Sequence, residues 1–166
     1  MTEFLADLFA QYHASLVRML YRRTGDRERA EELAQEVFAR AVAAPPRNPR
    51  PWLFAVALNL VREEGRRETR RGRRLELYRA EQPDSVEGPD EESARNERIA
   101  LVRTALAALN ERDREALLFK AEGFNYDEIA RTLGLAKGAI GTTLCRARRR
   151  LVEAYRAQEE RSHAAS

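Results

Sequence analysis

Asn125-Tyr126-Asp127-Glu128 has the residue types of a helix start: Asn125 can accept from an exposed backbone N–H, and Glu128 stands three positions on, as in a capping box. Ile129, Ala130 and Leu133 then fall on one face, and Gly134 follows. After Leu135-Ala136 a second helix is predicted, with Ile140, Leu144, Ala147 and Leu151 at steps of four, three and four. Small Ala130 lets two helices approach, Gly134 permits the turn, and Ile140 wedges the pair: the pattern of a helix-turn-helix. The outer face of the second helix carries Lys137, Gly138, Gly141, Thr142, Cys145, Arg148 and Arg149, flanked by Arg146 and Arg150. Such a face can enter a DNA major groove while its arginines meet phosphates. The same spacing also fits a helical hairpin with a basic tail.

A second cationic stretch runs from Arg62 to Arg74, where seven Arg stand against three Glu. It reads either as a track for a nucleic-acid strand or as the solvated, dipole-favoured end of a helix. Arginine dominates throughout: of 30 basic residues only Lys120 and Lys137 are lysine, and the formal net charge is +3. The planar guanidinium fork suits phosphates and guanine edges better than an ammonium does. Other chemistries have no support. A single cysteine, Cys145, excludes an internal disulfide framework and a Cys-based zinc site. His13 and His163 lie at opposite ends without partner spacing, and neither a phosphate loop nor a nucleophile–base pair is present. No cofactor and no enzyme activity are expected.

Helices must position these groups. Leu5, Leu8, Phe9, Tyr12, Leu16, Met19 and Leu20 recur at helical steps; Gly25 ends that helix and Asp26 can cap the next. The second helix buries Ala30, Leu33, Ala34, Val37, Phe38 and Ala41 and shows Glu31, Glu32, Gln35, Glu36 and Arg40 on its other side. Four prolines between Pro45 and Pro51 break the chain, and a third helix is predicted from Pro51 with the stripe Trp52, Leu53, Val56, Ala57, Leu60 and Val61. Arg79 to Ser93, with six acidic residues, two prolines and a glycine, reads as a linker that cannot bury enough surface to order itself. Beyond it, Ile99, Val102, Ala105, Leu106 and Leu109 form a further apolar face, and Asn110 caps a helix holding Ala116, Leu117, Leu118 and Ala121, which Gly123 stops. The fold class is therefore all-α: two small helical domains, 1–75 and 96–158, joined by an acidic flexible linker, 76–95, the second domain containing the helix-turn-helix. A polar tail, 159–166, is expected to add no domain. No apolar run reaches membrane-helix length and Met1-Thr2-Glu3 lacks a basic leader, so a cytoplasmic chain without membrane insertion is expected.

Several of these segments share a resemblance. Glu31-Glu32-Leu33-Ala34-Gln35-Glu36-Val37-Phe38, Trp52-Leu53-Phe54 with Asn59-Leu60, and Leu109-Asn110-Glu111-Arg112-Asp113-Arg114-Glu115 resemble the sigma-70 family. So do Tyr126-Asp127-Glu128-Ile129-Ala130 and Arg146-Ala147-Arg148-Arg149-Arg150-Leu151, in the family's order. The two-domain layout is similar to the extracytoplasmic-function (group IV) sigma factors of bacterial RNA polymerase. The resemblance implies a polymerase subunit that recognises −35 and −10 promoter elements and helps open the −10 region. It places Glu32, Gln35 and Glu36 on the face that docks on the polymerase clamp helices. It places Arg47, Asn48 and Arg50 near a flipped −10 base, and Asn59, Arg62, Arg66 and Arg67 along the opened strand. Lys137, Gly138, Gly141, Thr142, Arg146, Arg148 and Arg149 would read the −35 element, with the polymerase flap region as a further contact. The linker would thread toward the RNA path. An anti-sigma factor covering both domains is the expected regulator.

Departures from the family's pattern keep two other readings open. The 44–51 loop is short and proline-rich and Glu64-Gly65 replaces an aromatic–aliphatic pair, which together fit a sigma-like regulator that docks on polymerase without opening promoters; Leu58 stands where the family often has a polar or basic residue. A stand-alone helix-turn-helix repressor would need residues 96–155 only. Ala136 stands in place of a serine cap, a loss of roughly 1 kcal/mol, and Gly141-Thr142-Thr143 makes the −35 preference the chain's own. Cys145, beside several arginines, is expected to be a small half-buried residue rather than a reactive thiolate. Trp52 is expected in the core.

Overall fold

The computed structural model describes residues 2–79 and 90–166. Among them are seven α-helices: α1 Thr2–Thr24, α2 Arg27–Ala43, α3 Pro49–Arg79, α4 Asp90–Ala107, α5 Glu111–Ala121, α6 Tyr126–Leu133 and α7 Ile140–Ala164. A single 3-10 turn, Lys137–Ala139, precedes α7.

Helix starts follow from side chains that satisfy the first free N–H groups. Asp26 accepts from Arg29 N at 3.1 Å, Asn110 from Asp113 N at 2.8 Å, and Asn125 from Glu128 N at 2.8 Å. Gly134 closes α6 in the left-handed region, φ 67°, with Leu135 N donating to Ala130 O at 2.9 Å, so the helix-turn-helix bends at its glycine. Asn125→Ala should lower stability by about 1 kcal/mol and Asn125→Gly by only a few tenths, as measured by urea unfolding. An equal loss in both would show that the side chain does not cap α6. Ala136, at the start of the 3-10 turn, makes no side-chain cap, as its residue type dictates.

Three boundaries differ from the sequence reading. α3 begins at Pro49 rather than Pro51. Both prolines fit the first turn, whose N–H groups have no helical partner. Helix extends to Arg79 on one side and resumes at Asp90 on the other, so helical structure enters both ends of the 76–95 stretch. Residues 80–89, with the expected path of the linker, lie outside the described residues. α7 runs on to Ala164, so the polar tail is the end of a helix.

α1, α2 and α3 pack around Leu16, Met19, Leu20, Leu33, Val37 and Leu53, all 0–2% exposed. α4 to α7 pack around Phe119, Ile129, Ile140 and Leu144. The two groups share one continuous core. Phe54 of α3 meets Phe124 at 5.0 Å and Phe119 at 6.2 Å between ring centroids, and Phe119 meets Phe124 at 4.8 Å. Leu58, noted in the sequence as an apolar departure, is buried on the same helix. Gly25, φ 73°, sits where any Cβ would strike Arg103 of α4, and its carbonyl accepts from Arg103 at 3.3 Å. The positive φ favours glycine here, while the flexible end of the Arg103 side chain could move aside from a Cβ.

The apolar face expected on α4 is only partly covered: Ile99 is 36% and Val102 41% exposed. Trp52 packs half-buried against the core. Cys145 is exposed, not half-buried, because it falls on the outer side of α7 between buried Leu144 and Ala147.

Candidate nucleic-acid and polymerase interfaces

α2 turns its apolar stripe inward, which leaves Glu32, Gln35 and Glu36 exposed on one outer face. Glu32 pairs with Arg29 at 2.7 Å and Glu36 with Arg40 at 2.9 Å. Arg29 also binds Glu64 of α3, and its pKa is raised by the hydrogen bonds it donates to Glu64 and then to Glu32. Glu64 is therefore neutralised inside the first domain instead of projecting bare negative charge along α3. Gly65 does not break the helix, which continues to Arg79.

The seven residues expected at the −10 element separate into two groups. Arg47, Asn48, Asn59, Arg66 and Arg67 are exposed. Arg50 and Arg62 are held by the second domain. Arg50 donates to Glu128 at 2.8 Å and to the Glu122 carbonyl at 2.9 Å, with its guanidinium 4.1 Å from the centre of the Phe124 ring. Arg62 donates through Nε to Glu115 at 2.7 Å, makes a second, shorter bond to the same carboxylate, and lies 3.2 Å from Glu111. Its pKa is raised, first by the Glu115 hydrogen bond, against the opposing effect of burial. Stability from a raised arginine pKa is fully present below the ordinary arginine value and lost only above it, so these guanidiniums add no pH dependence in any usable range.

Two arginines that the sequence reading did not single out join the same seam. Arg18 and Arg22 of α1 hold the Glu122 carboxylate at 2.8 and 3.2 Å, and that side chain is 1% exposed. The Glu122 hydrogen bond, and then its charge, raise the Arg18 pKa. The missed signal lies on α3: Arg50, Phe54, Leu58 and Arg62 recur at steps of four, a second stripe beside the expected one. A helix apolar on two faces has two neighbours.

On the helix-turn-helix, Lys137, Gly138, Thr142, Arg148 and Arg149 are exposed, and Lys137 pairs with Asp127 at 3.1 Å. Gly141 is half-buried; a Cβ there would lie 3.6 Å from the Tyr126 ring, in ordinary contact. Arg146 differs from its neighbours. With Arg150 it reaches fully buried Asp113, at 3.4 and 2.9 Å. A buried carboxylate needs such partners, so Arg146 also holds α5 against α7.

The comparisons with known proteins bear on this arrangement directly. A sigma-70 region 2 model matches residues 8–71, and a sigma-70 region 4 model matches residues 99–151. The extracytoplasmic-function sigma factor EcfG of Rhodopseudomonas palustris is 34% identical over 134 residues, covering 77% of this chain and 72% of that protein. The chain belongs to the extracytoplasmic-function sigma factors of the sigma-70 family. SigL of Mycobacterium tuberculosis, another such sigma factor, is 32% identical over 144 residues, 82% of this chain and 80% of its own. The sigma factor RpoE of Bartonella quintana, solved in complex with the anti-sigma factor NepR, is similar with a TM-score of 0.64 and 25% identity, covering 94% of this chain and 98% of that one. CnrH, solved with the cytosolic domain of CnrY, shares the fold with a TM-score of 0.69 at 24% identity, over 95% of this chain and 90% of that one. In this sigma factor, α1–α3 hold the region 2 match and α4–α7 the region 4 match. No helix among the described residues is long and apolar enough to cross a membrane.

Proposed function

We propose that this sigma factor binds core RNA polymerase through α2 and directs initiation at promoters whose −10 and −35 elements its two domains contact. The supporting observation is the exposure of two separate cationic faces, Asn59, Arg66 and Arg67 on α3 and Lys137, Thr142, Arg148 and Arg149 on the helix-turn-helix. Arg47 and Asn48, exposed in the loop before α3, would meet an unstacked −10 base, with Arg50 and Arg62 added along the strand. Extruding a base costs a few kcal/mol, which a pocket and a cationic track must offset. Gly138 and Gly141 let the backbone approach −35 DNA, and Arg146 flanks it. Glu32, Gln35 and Glu36 would meet the clamp helices, while the second domain would face the flap region.

A regulatory partner belongs to the same reading. RpoE and CnrH were solved with proteins bound to them, and this chain has a cavity of about 350 Å³ between α1 and α4, lined by Tyr21, Arg22, Ile99, Val102, Arg103 and Leu106. An apolar floor rimmed by guanidiniums suits an acidic amphipathic segment of an anti-sigma factor.

The pairing of Glu64 with Arg29 weakens the reading as a regulator that cannot open promoters, since Glu64 was one of its grounds. Binding of fluorescently labelled protein to purified core polymerase tests the docking face. Gln35→Ala/Glu36→Ala should weaken binding at least tenfold, a loss of about 1.4 kcal/mol, with unchanged thermal unfolding. Unchanged binding would move the docking site off α2, and no binding by the unaltered chain would leave only the repressor reading.

A further inference from the structure

We propose that Arg23 and Arg114 form a two-guanidinium site for a compact phosphoryl oxyanion, held between the end of α1 and α5. Neither residue belongs to the docking or DNA faces described above, so the site stands or falls separately from them.

Neighbouring arginines are satisfied and these two are not. Arg18 and Arg22 share Glu122, Arg50 meets Glu128, and Arg62 takes Glu115. Arg23, in the last turn of α1, and Arg114, in α5, are both only part-exposed. Among the described residues neither side chain forms a hydrogen bond or an ion pair. The Arg114 Nε is buried without a hydrogen-bond partner, and it alone among the described side-chain atoms is so placed. A buried donor of this kind calls for an explanation, because such groups are almost always met.

Electrostatics point the same way. Burial and then the like charge of Arg114 hold the Arg23 pKa below the ordinary arginine value, and the opposing pull of Glu115 and Glu111 does not make this up. Those carboxylates are already engaged: Arg62 grips Glu115 with two nitrogens and lies 3.2 Å from Glu111. An oxyanion set between Arg23 and Arg114 would turn a like-charge contact into charge-assisted hydrogen bonds from two planar forks, and would give the Arg114 Nε an acceptor. A carboxylate has oxygens for one fork, whereas a phosphoryl group has enough for both. Because both side chains are part-buried, a compact anion suits them better than a nucleic-acid strand, which needs an open cationic groove. Bound there, the anion would tie α1 to α5 and stabilise the fold according to its occupancy.

The test is isothermal titration calorimetry of the full chain with inorganic phosphate, pyrophosphate and GDP, against chloride of matched ionic strength. One anion should bind per chain, and the thermal midpoint should rise as it is added. Similar affinity for pyrophosphate and GDP assigns the site to the phosphoryl group itself, and GDP bound about tenfold more tightly assigns it to a nucleotide. Arg23→Gln and Arg114→Gln should each weaken binding about tenfold, while Arg156→Gln, at an exposed position of α7, should leave it unchanged. Arg23→Lys, which keeps the charge and loses the fork, should fall between. Without anion, Arg23→Gln should keep or raise the thermal midpoint, since a like-charge contact is lost. A lowered midpoint would mean that Glu111 and Glu115 already satisfy Arg23, and would overturn the site. Binding of none of the three anions, or binding that survives both glutamine substitutions, would overturn it equally.

Discussion

Phe54→Ala is expected to lower stability by about 3–5 kcal/mol, the range for removing a fully buried aromatic side chain. Phe54 is 1% exposed and touches Phe119 and Phe124, so truncation leaves a hole at the seam between the two domains. Neighbouring atoms come from helices on both sides, and neither side can collapse into the gap without moving the other. Phe4→Ala is the control: Phe4 is 42% exposed, and its loss should stay within about 0.5 kcal/mol. Urea unfolding of both variants measures the difference. A loss below about 1 kcal/mol for Phe54→Ala would mean that the domains do not pack through this residue in solution.

The second large effect concerns the helix-turn-helix. Arg148→Ala/Arg149→Ala should weaken holoenzyme binding to promoter duplex roughly 10- to 100-fold and reduce the slope of log affinity against log salt by about 0.9 for each phosphate that is no longer neutralised. Both side chains are exposed, so stability should barely change. The loss should be uniform across −35 sequences, because phosphate contacts position the protein without reading bases. Arg146→Ala should behave differently. It removes one of the two arginines that meet buried Asp113, so it lowers stability as well as DNA affinity. An unchanged salt slope in the double variant would remove Arg148 and Arg149 from the DNA interface.

Local chemistry made much of the fold legible. Asp26, Asn110 and Asn125 were readable as caps because a cap needs only its own side chain and an N–H two or three residues on. Gly134 was readable as the turn because its neighbours force a left-handed residue there. The all-helical class followed from apolar spacing, and the family from motifs in order. The seam between domains was not legible in the same way. Glu115, Glu122 and Glu128 each look like ordinary solvated helix residues, and their arginine partners lie 53, 104 and 78 residues away. Charge pairing over such distances leaves no periodic mark on either segment. The mark that did exist, Phe54 and Leu58 between Arg50 and Arg62, fell outside the main apolar stripe of α3, and of the two only Leu58 stood out as a departure from the family's pattern.

The candidate site divides along the same line. Residues on outward faces of the helices, such as Gln35, Arg67 and Arg149, are exposed. Arg50, Arg62 and Arg146 have the same residue type and the same apparent exposure in sequence, yet the structure gives each a carboxylate partner. Residue type alone could not separate an arginine awaiting a phosphate from one already paired.

Abortive transcription by purified core polymerase with this protein, on the promoter upstream of its own gene and on a panel of genomic fragments, tests the central claim most directly. Initiation that depends on the added protein and disappears with Gln35→Ala/Glu36→Ala is the predicted result. Tight binding to core polymerase without initiation on any fragment would contradict it.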